Sequence, residues 1–461
     1  MGEGQRRLLA RARARAYIRG ARAPPGEMAV ACGHNYMAAL TERGGLLVSG
    51  HNQHGQLGIG TVGEAEEQAP VAAPFGAEQL AMVAAGQFHA AGVTDRGGVW
   101  VWGLNHDGRL GLGHRATQLR PTRWPAGACG GARVVMVGCG RAYTLALTAA
   151  GAVWSCGAAF GGGDVPAPVP GLGRVRMLAV SDSHGLALGA DGRVWIWGDH
   201  WNGPDGHHTP APETPAPPRA LAPGAFAGAA VVFVAAGAMH SAAVTARGEL
   251  WTWGCGLYGV LGLGDHAGRQ APALVGAPQA PAWAGSRVRT VACGGSHTLV
   301  LTADGAVWHC GRRYVDADEE PPDAWVVRPA RIAPARFGGA RIVHVAAGEG
   351  FSAAVTDEGV LYVWGVGALC GGVLRVPRPV AASLPLGSRI GRGFGLPRQH
   401  VTAFCMGAHA RLGGGPPPLA FRYAPASALE MVVQVAEQLP GVYRCMGEGQ
   451  LRLLAVRERV C

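Results

Sequence analysis

The sequence contains no lysine; all 40 of its basic residues are arginine. That excludes a lysine-tipped phosphate loop and any Schiff-base chemistry, both of which need an ε-amino group. Charge is scarce altogether, at 15 % of 461 residues, where globular chains average about a quarter. The eleven cysteines include no C-x-x-C pair. Scattered thiols in odd number, with no apolar leader near Met1, fit a reducing compartment, so a cytoplasmic or nuclear location is expected, organelle import remaining open. No uninterrupted run of 18 apolar residues occurs, so no membrane contact is expected. H-E-x-x-H and G-x-S-x-G are also missing. The expectation is a protein without catalytic residues, metal or cofactor.

What the chain does have is glycine, 75 residues, and 48 % hydrophobic residues. That is enough apolar surface for a large core, and the glycines follow no three-residue period, so a collagen helix is out. The formal charge of +10 is unevenly placed. Residues 1–22 hold seven arginines and one acid (Glu3), so most of the excess sits in one short segment. Such a segment offers a weak route to nucleic acid or chromatin, or reads as an import signal. Its start, MGEGQRRLLA, matches residues 446–455 at nine of ten positions.

Self-similarity dominates the rest. Residues 83–113, VAAGQFHAAGVTDRGGVWVWGLNHDGRLGLG, align with 30–60 and with 234–264. An anchor glycine recurs at Gly33, Gly86, Gly140, Gly237, Gly294 and Gly348, with Ser181 in the same slot of a seventh copy; the spacings are 53, 54, 41, 56, 57 and 54. Within each copy an alternating run such as HAAGVT leads through T-x-x-G to a second alternating run such as VWVWG. Period-two patterning with a glycine turn is hairpin chemistry. Further short apolar segments complete about four strands per 50 residues, the pattern of a propeller blade. Closure of the ring is expected to mix strands from both ends of residues 28–384.

These copies resemble the repeats of the regulator-of-chromosome-condensation family, whose fold is a seven-bladed β-propeller. The resemblance covers residues 28–384. It leaves an Arg-rich segment at 1–27 and an appendage at 385–461, where apolar stripes at 397–412 and 427–439 predict helices. It implies either a non-enzymatic scaffold that binds a protein partner through rim loops, or a guanine-nucleotide exchange factor for a small GTPase. Family photoreceptors that sense ultraviolet-B use a G-W-R-H-T motif. Here the same stretches read GQFHA, GAMHS and GGSHT, so photoreception is not expected.

Three residue sets stand out. His89, His184, His240 and His297 share one repeat slot, filled elsewhere by Tyr36, Tyr143 and Phe351. The expectation is a structural role, each imidazole bonded to the backbone of its own or the next blade, rather than an axial metal site. Asp316, Asp318, Glu319, Glu320 and Asp323 make residues 312–340 the one acidic connection, a candidate surface for a basic partner. Gly58-Ile59-Gly60-Thr61-Val62-Gly63 fits G-x-G-x-x-G but lies in a repeat loop with no helix after it.

Overall fold

Each copy folds as its turn residues dictate. The computed structural model describes residues 30–379 apart from 35, 41–44, 63–70, 72–74, 76–77, 159–161, 183, 199–217, 277–282, 284, 313–324, 358–359 and 368–371. The turn glycines Gly97, Gly151, Gly192, Gly248 and Gly305 sit at φ between +79° and +90°, a region side chains avoid. In the first of these turns the Gly97 N–H donates to the Thr94 carbonyl at 2.9 Å, and the Gly98 N–H to Thr94 Oγ1 at 2.9 Å.

The copies form all-β sheets, each from consecutive strands. The first has β1 (Val30–Cys32), β2 (Tyr36–Leu40) and β3 (Leu46–Gly50). The second has β4 (Leu80–Ala85), β5 (His89–Thr94), β6 (Val99–Gly103) and β7 (Gln118–Arg123). The third has β8 (Val134–Cys139), β9 (Tyr143–Thr148), β10 (Val153–Gly157) and β11 (Ala167–Pro168). The fourth has β12 (Val175–Val180), β13 (His184–Gly189), β14 (Val194–Gly198) and β15 (Arg219–Ala220). The fifth has β16 (Val231–Ala236), β17 (His240–Thr245), β18 (Leu250–Gly254) and β19 (Arg269–Leu274). The sixth has β20 (Val288–Cys293), β21 (His297–Thr302), β22 (Val307–Arg312) and β23 (Trp325–Arg331). The last has β24 (Ile342–Ala347), β25 (Phe351–Thr356), β26 (Leu361–Gly367) and β27 (Gly372–Pro379).

The architecture is a β-propeller with six complete four-stranded blades among the described residues, not the seven expected; the first copy contributes a three-stranded sheet. That sheet packs through β1 against both β4 and β24. The expected closure by mixed strands is not observed. β24 to β27 come wholly from residues 342–379 and pair only with one another, so the first and last sheets meet by face packing. The helices expected at 397–412 and 427–439 lie outside the described residues, as does the Arg-rich start.

The core lies between blades. The second strand of all six complete blades is buried along its whole length, because both its faces meet neighbouring sheets. Trp102 and Trp197 are 0 % exposed, each worth about 1.5–3 kcal/mol of burial. Three boundaries also carry a wedge turn from the preceding copy, whose Leu57, Leu110 and Leu261 are buried. Under two of these wedges the second aromatic slot holds a small residue, Cys156 or Cys310, and the sulfhydryls reach the wedge carbonyls of Arg109 and Val260 at 3.3 and 3.4 Å. The described thiols are free and buried.

The anchor glycines are glycine for lack of space. A Cβ on Gly33, Gly86, Gly237 or Gly294 would stand 2.5–2.6 Å from the carbonyl oxygen of the next copy's anchor. Gly86→Ala is therefore expected to lower stability by about 1–3 kcal/mol in urea unfolding. Gly173→Ala, whose Cβ would lie 3.5 Å from the Trp195 ring, is the control and should be near neutral; equal effects would contradict the crowding argument.

Candidate functional site: the axial mouth

Because each anchor sits against the next, the residues that follow them gather around the propeller axis. These are His34, Gln87, Arg141, Asp182, Ala238, Gly295 and Glu349. Backbone bonds tie several to their neighbours: Arg141 N–H to the Asp182 carbonyl at 3.3 Å, Ala238 N–H to Gly294 at 3.2 Å and Gly295 N–H to Gly348 at 3.1 Å. The first and last copies meet side chain to side chain, His34 Nδ1 lying 2.5 Å from Glu349 Oε2. Phe88 packs beside His34 and edge-on to His54, with ring centroids 6.1 and 4.9 Å apart. Burial and the positive neighbours His106 and Arg109 hold the His54 imidazole below its ordinary range.

Asp182 is the least comfortable group in this ring. The residue is only half-buried, yet both carboxylate oxygens are withdrawn from solvent and neither has a hydrogen-bond partner. Burial, and then the charge of Glu349, push its carboxyl well above the usual range, against a smaller opposing effect of Arg141. The Gln87 Oε1 is likewise buried without a partner. Arg109 lies behind the mouth, its guanidinium donating to the Arg141 carbonyl and paired with Asp107. The chemistry of this mouth is that of a receptor for positive charge.

The four slot histidines lie away from the mouth, in the boundaries between blades. Their partner is not the expected backbone. His89 Nε2 meets Thr144 Oγ1 at 2.8 Å, His184 Nε2 meets Ser241 Oγ at 2.9 Å, His240 Nε2 meets Thr298 Oγ1 at 2.8 Å and His297 Nε2 meets Ser352 Oγ at 2.9 Å. Each hydroxyl belongs to the next copy. Thr144 and Thr298 donate onward to the Arg109 and Val260 carbonyls at 2.7 Å, so His89 and His240 must be the donors, as neutral Nε2–H tautomers. Where the slot is tyrosine, its hydroxyl reaches a backbone carbonyl of the next copy instead: Tyr36 to His89 at 2.6 Å, Tyr143 to Ser181 at 2.8 Å. Among the described residues no group of three or more His, Cys, Asp or Glu could hold a metal ion. The acidic set Asp316, Asp318, Glu319, Glu320 and Asp323 lies outside the described residues, between the paired strand ends Arg312 and Trp325.

Sequence reading missed the mouth because it looked for constant columns. The column after the anchor is the variable one, and its polar members His34, Gln87, Arg141, Asp182 and Glu349 stand among otherwise apolar or glycine-rich strands.

Two pH effects of opposite sign follow. Burial holds His240 down at about 4 and lowers His89 and His297 well below their ordinary value. Unfolding frees these bases to bind protons below about 6.5, so stability should fall as pH drops from 6.5 to 4, by on the order of 3 kcal/mol for His240 alone. His240→Phe should flatten that slope in denaturant titrations; an unchanged slope would contradict it. Asp182, raised in the folded state, costs stability above about pH 4. Asp182→Asn should therefore raise the unfolding midpoint at pH 7 and lose its advantage near pH 4, and a lower midpoint at pH 7 would show the carboxylate to be stabilising.

The comparisons agree with this architecture. The family described as "Regulator of chromosome condensation (RCC1) repeat" matches residues 96–147, 247–301 and, in a second form, 231–260. The chain is 32 % identical over 287 residues to the ultraviolet-B receptor UVR8 of Arabidopsis thaliana, covering 61 % of this chain and 52 % of the receptor. It is 32 % identical over 326 residues to the human E3 ubiquitin-protein ligase HERC2, covering 69 % of this chain and 6 % of the ligase. The chain thus spans about half of one curated relative and a small part of the other. Among solved structures, yeast RCC1 (Prp20) bound to Kap60 superposes with a TM-score of 0.61 at 22 % identity, over 79 % of this chain and 86 % of that one. Human WBSCR16 gives 0.57 at 24 %, over 70 % and 85 %. The matched stretches hold the turn glycines Gly97 and Gly248, the anchors Gly140 and Gly294 and the boundary histidine His297; with that agreement of motif and fold, the chain belongs to the regulator-of-chromosome-condensation repeat family.

Proposed function

We propose that the protein is a non-enzymatic interaction scaffold whose partner presents a basic surface to the axial mouth. Asp182 carries this reading. A carboxylate withdrawn from water with no donor beside it, and a second carboxylate nearby, costs the free protein stability. A cation from a partner would relieve that cost, which is how a destabilised group serves binding. The acids Asp316, Asp318, Glu319, Glu320 and Asp323 carry the same sign on the connection between β22 and β23 and are proposed as an outer contact of the same partner. The ring is proposed to close as seven blades, the sheet of β1 to β3 serving as the seventh. In support, Val71 N–H donates to the Leu46 carbonyl at 3.0 Å beside β3, and β1 packs on β24. The segments 1–27 and 385–461 are proposed to lie apart from the ring, the first as a minor contact to nucleic acid or chromatin.

Exchange of guanine nucleotide on a small GTPase is the second reading. Two observations favour it. The yeast Prp20p structure, described with its binding properties to Gsp1p and histones, superposes with a TM-score of 0.59 at 21 % identity. A Caenorhabditis elegans homologue of the X-linked retinitis pigmentosa GTPase regulator is 31 % identical over 331 residues. An exchange factor binds the nucleotide-free partner best, so it loosens nucleotide by reciprocal linkage.

Affinity capture with the full chain, with and without a chelator that strips Mg²⁺ and nucleotide, separates the readings. Partners retained by the wild type and lost with Asp182→Asn/Glu349→Gln support the mouth. A small GTPase held only after stripping, followed by accelerated release of a fluorescent nucleotide, moves the conclusion to exchange. Equal capture by the double variant would overturn the mouth as the docking face.

A further inference from the structure

The three wedge turns share one arrangement. Gln56-Leu57-Gly58, Arg109-Leu110-Gly111 and Val260-Leu261-Gly262 each bury the leucine, and each offers the carbonyl before that leucine to the next blade. The donors come from two cross-strand slots there. They are Trp102 Nε1 to Gln56 at 2.9 Å, Thr144 Oγ1 and Cys156 Sγ to Arg109, and Thr298 Oγ1 and Cys310 Sγ to Val260. Thr144 pairs with Cys156, and Thr298 with Cys310, directly across the hairpin.

The boundary between the fourth and fifth blades has the same two slots and no such turn. Ser241 and Trp253 face each other across β17 and β18. Trp253 is 3 % exposed, and its indole N–H has no hydrogen-bond partner. Beside them opens a recess of about 400 Å³, with Ile196, Leu221 and Met239 among its walls. A buried donor without an acceptor costs the full desolvation of that group. In the equivalent place Trp102 finds the Gln56 carbonyl. Residues 199–217, which join β14 to β15, contain no Leu, Ile, Val or Met and no N-x-x-G-x-L-G, so the chain does not encode the wedge at this boundary.

We propose that this recess is a receptor for a Gly-x-Leu-Gly turn supplied by another protein chain. The leucine enters between Ile196, Leu221 and Met239, and the carbonyl before it accepts from Trp253 Nε1. The occupant is fixed by what fills the same slots at three other boundaries of this molecule. The proposal rests on the scaffold reading only in that its ligand is a protein segment. The recess is separate from the axial mouth.

The test is a titration of a fluorescein-labelled cyclic peptide, Asn-Gln-His-Gly-Gln-Leu-Gly (the sequence of residues 52–58), with the full chain, followed by anisotropy. Saturable binding is expected, weakened at least tenfold by replacing the peptide's leucine with alanine. Trp253→Phe, which keeps a ring and removes the donor, should weaken it roughly three- to tenfold, its thermal unfolding confirming the fold. Binding indifferent to both changes overturns the proposal. So does an absence of binding both in the wild type and in a variant with residues 201–212 replaced by a Gly-Ser stretch of equal length. Binding only in that variant means the slot is filled from within the chain and also overturns it. Asp182→Asn should leave the titration unchanged, so failure here and failure of the axial mouth are read from different variants.

Discussion

Every boundary between blades depends on close approach of two backbones near the axis, and only glycine permits it. The anchor of one copy lies beneath the carbonyl of the next at a separation no Cβ tolerates. A few residues further on, a slot side chain reaches across the same boundary to a hydroxyl or a carbonyl. Packing and hydrogen bond act together, since the bond is strong only because the boundary is dry. A repeat contacts little beyond its two neighbours, so stability accumulates from nearest-neighbour terms. A defect in one boundary is therefore felt locally, and compensation within that boundary is the economical remedy. The wedge turns show such compensation, with cysteine beneath the Leu110 and Leu261 turns.

The same approach builds the mouth. Anchors that touch in series deliver the next residue of each copy to the axis, and rigid strands hold those side chains in place. Variation there changes what the mouth attracts without disturbing the blades. Asp182 and Glu349 set its sign, and His34 beside Glu349 joins first copy to last. The group that costs most, a dry carboxylate, is the one best placed to gain from a cationic partner.

Much of the fold was legible in the sequence because its signals are local. T-x-x-G turns, alternating strands and the anchor spacing each lie within one copy, and the regular spacing carried the reading to a propeller. What depends on contact between copies was harder to see. The histidines were expected to bond to backbone, yet their partners lie 55–58 residues on. That signal was present: Thr144, Ser241, Thr298 and Ser352 follow histidine copies, whereas Ala90 and Gly185 follow the tyrosines Tyr36 and Tyr143. Reading each slot against the next copy would have found it. Closure by mixed strands was expected by analogy with rings that need a shared sheet, and here face packing of β1 on β24 joins the first and last copies instead. The mouth escaped notice because its residues vary.

A double-mutant cycle across one boundary tests the account most directly. His240→Phe places there the residue already used at Phe351, and Thr298→Val keeps the shape of threonine without its hydroxyl. Each single change leaves a dry polar group unpaired, while the double change removes both. The account predicts that the double variant is more stable than the two losses added together, by about 1 kcal/mol. Strict additivity in denaturant unfolding would contradict it, and would mean that the boundary is held by packing alone.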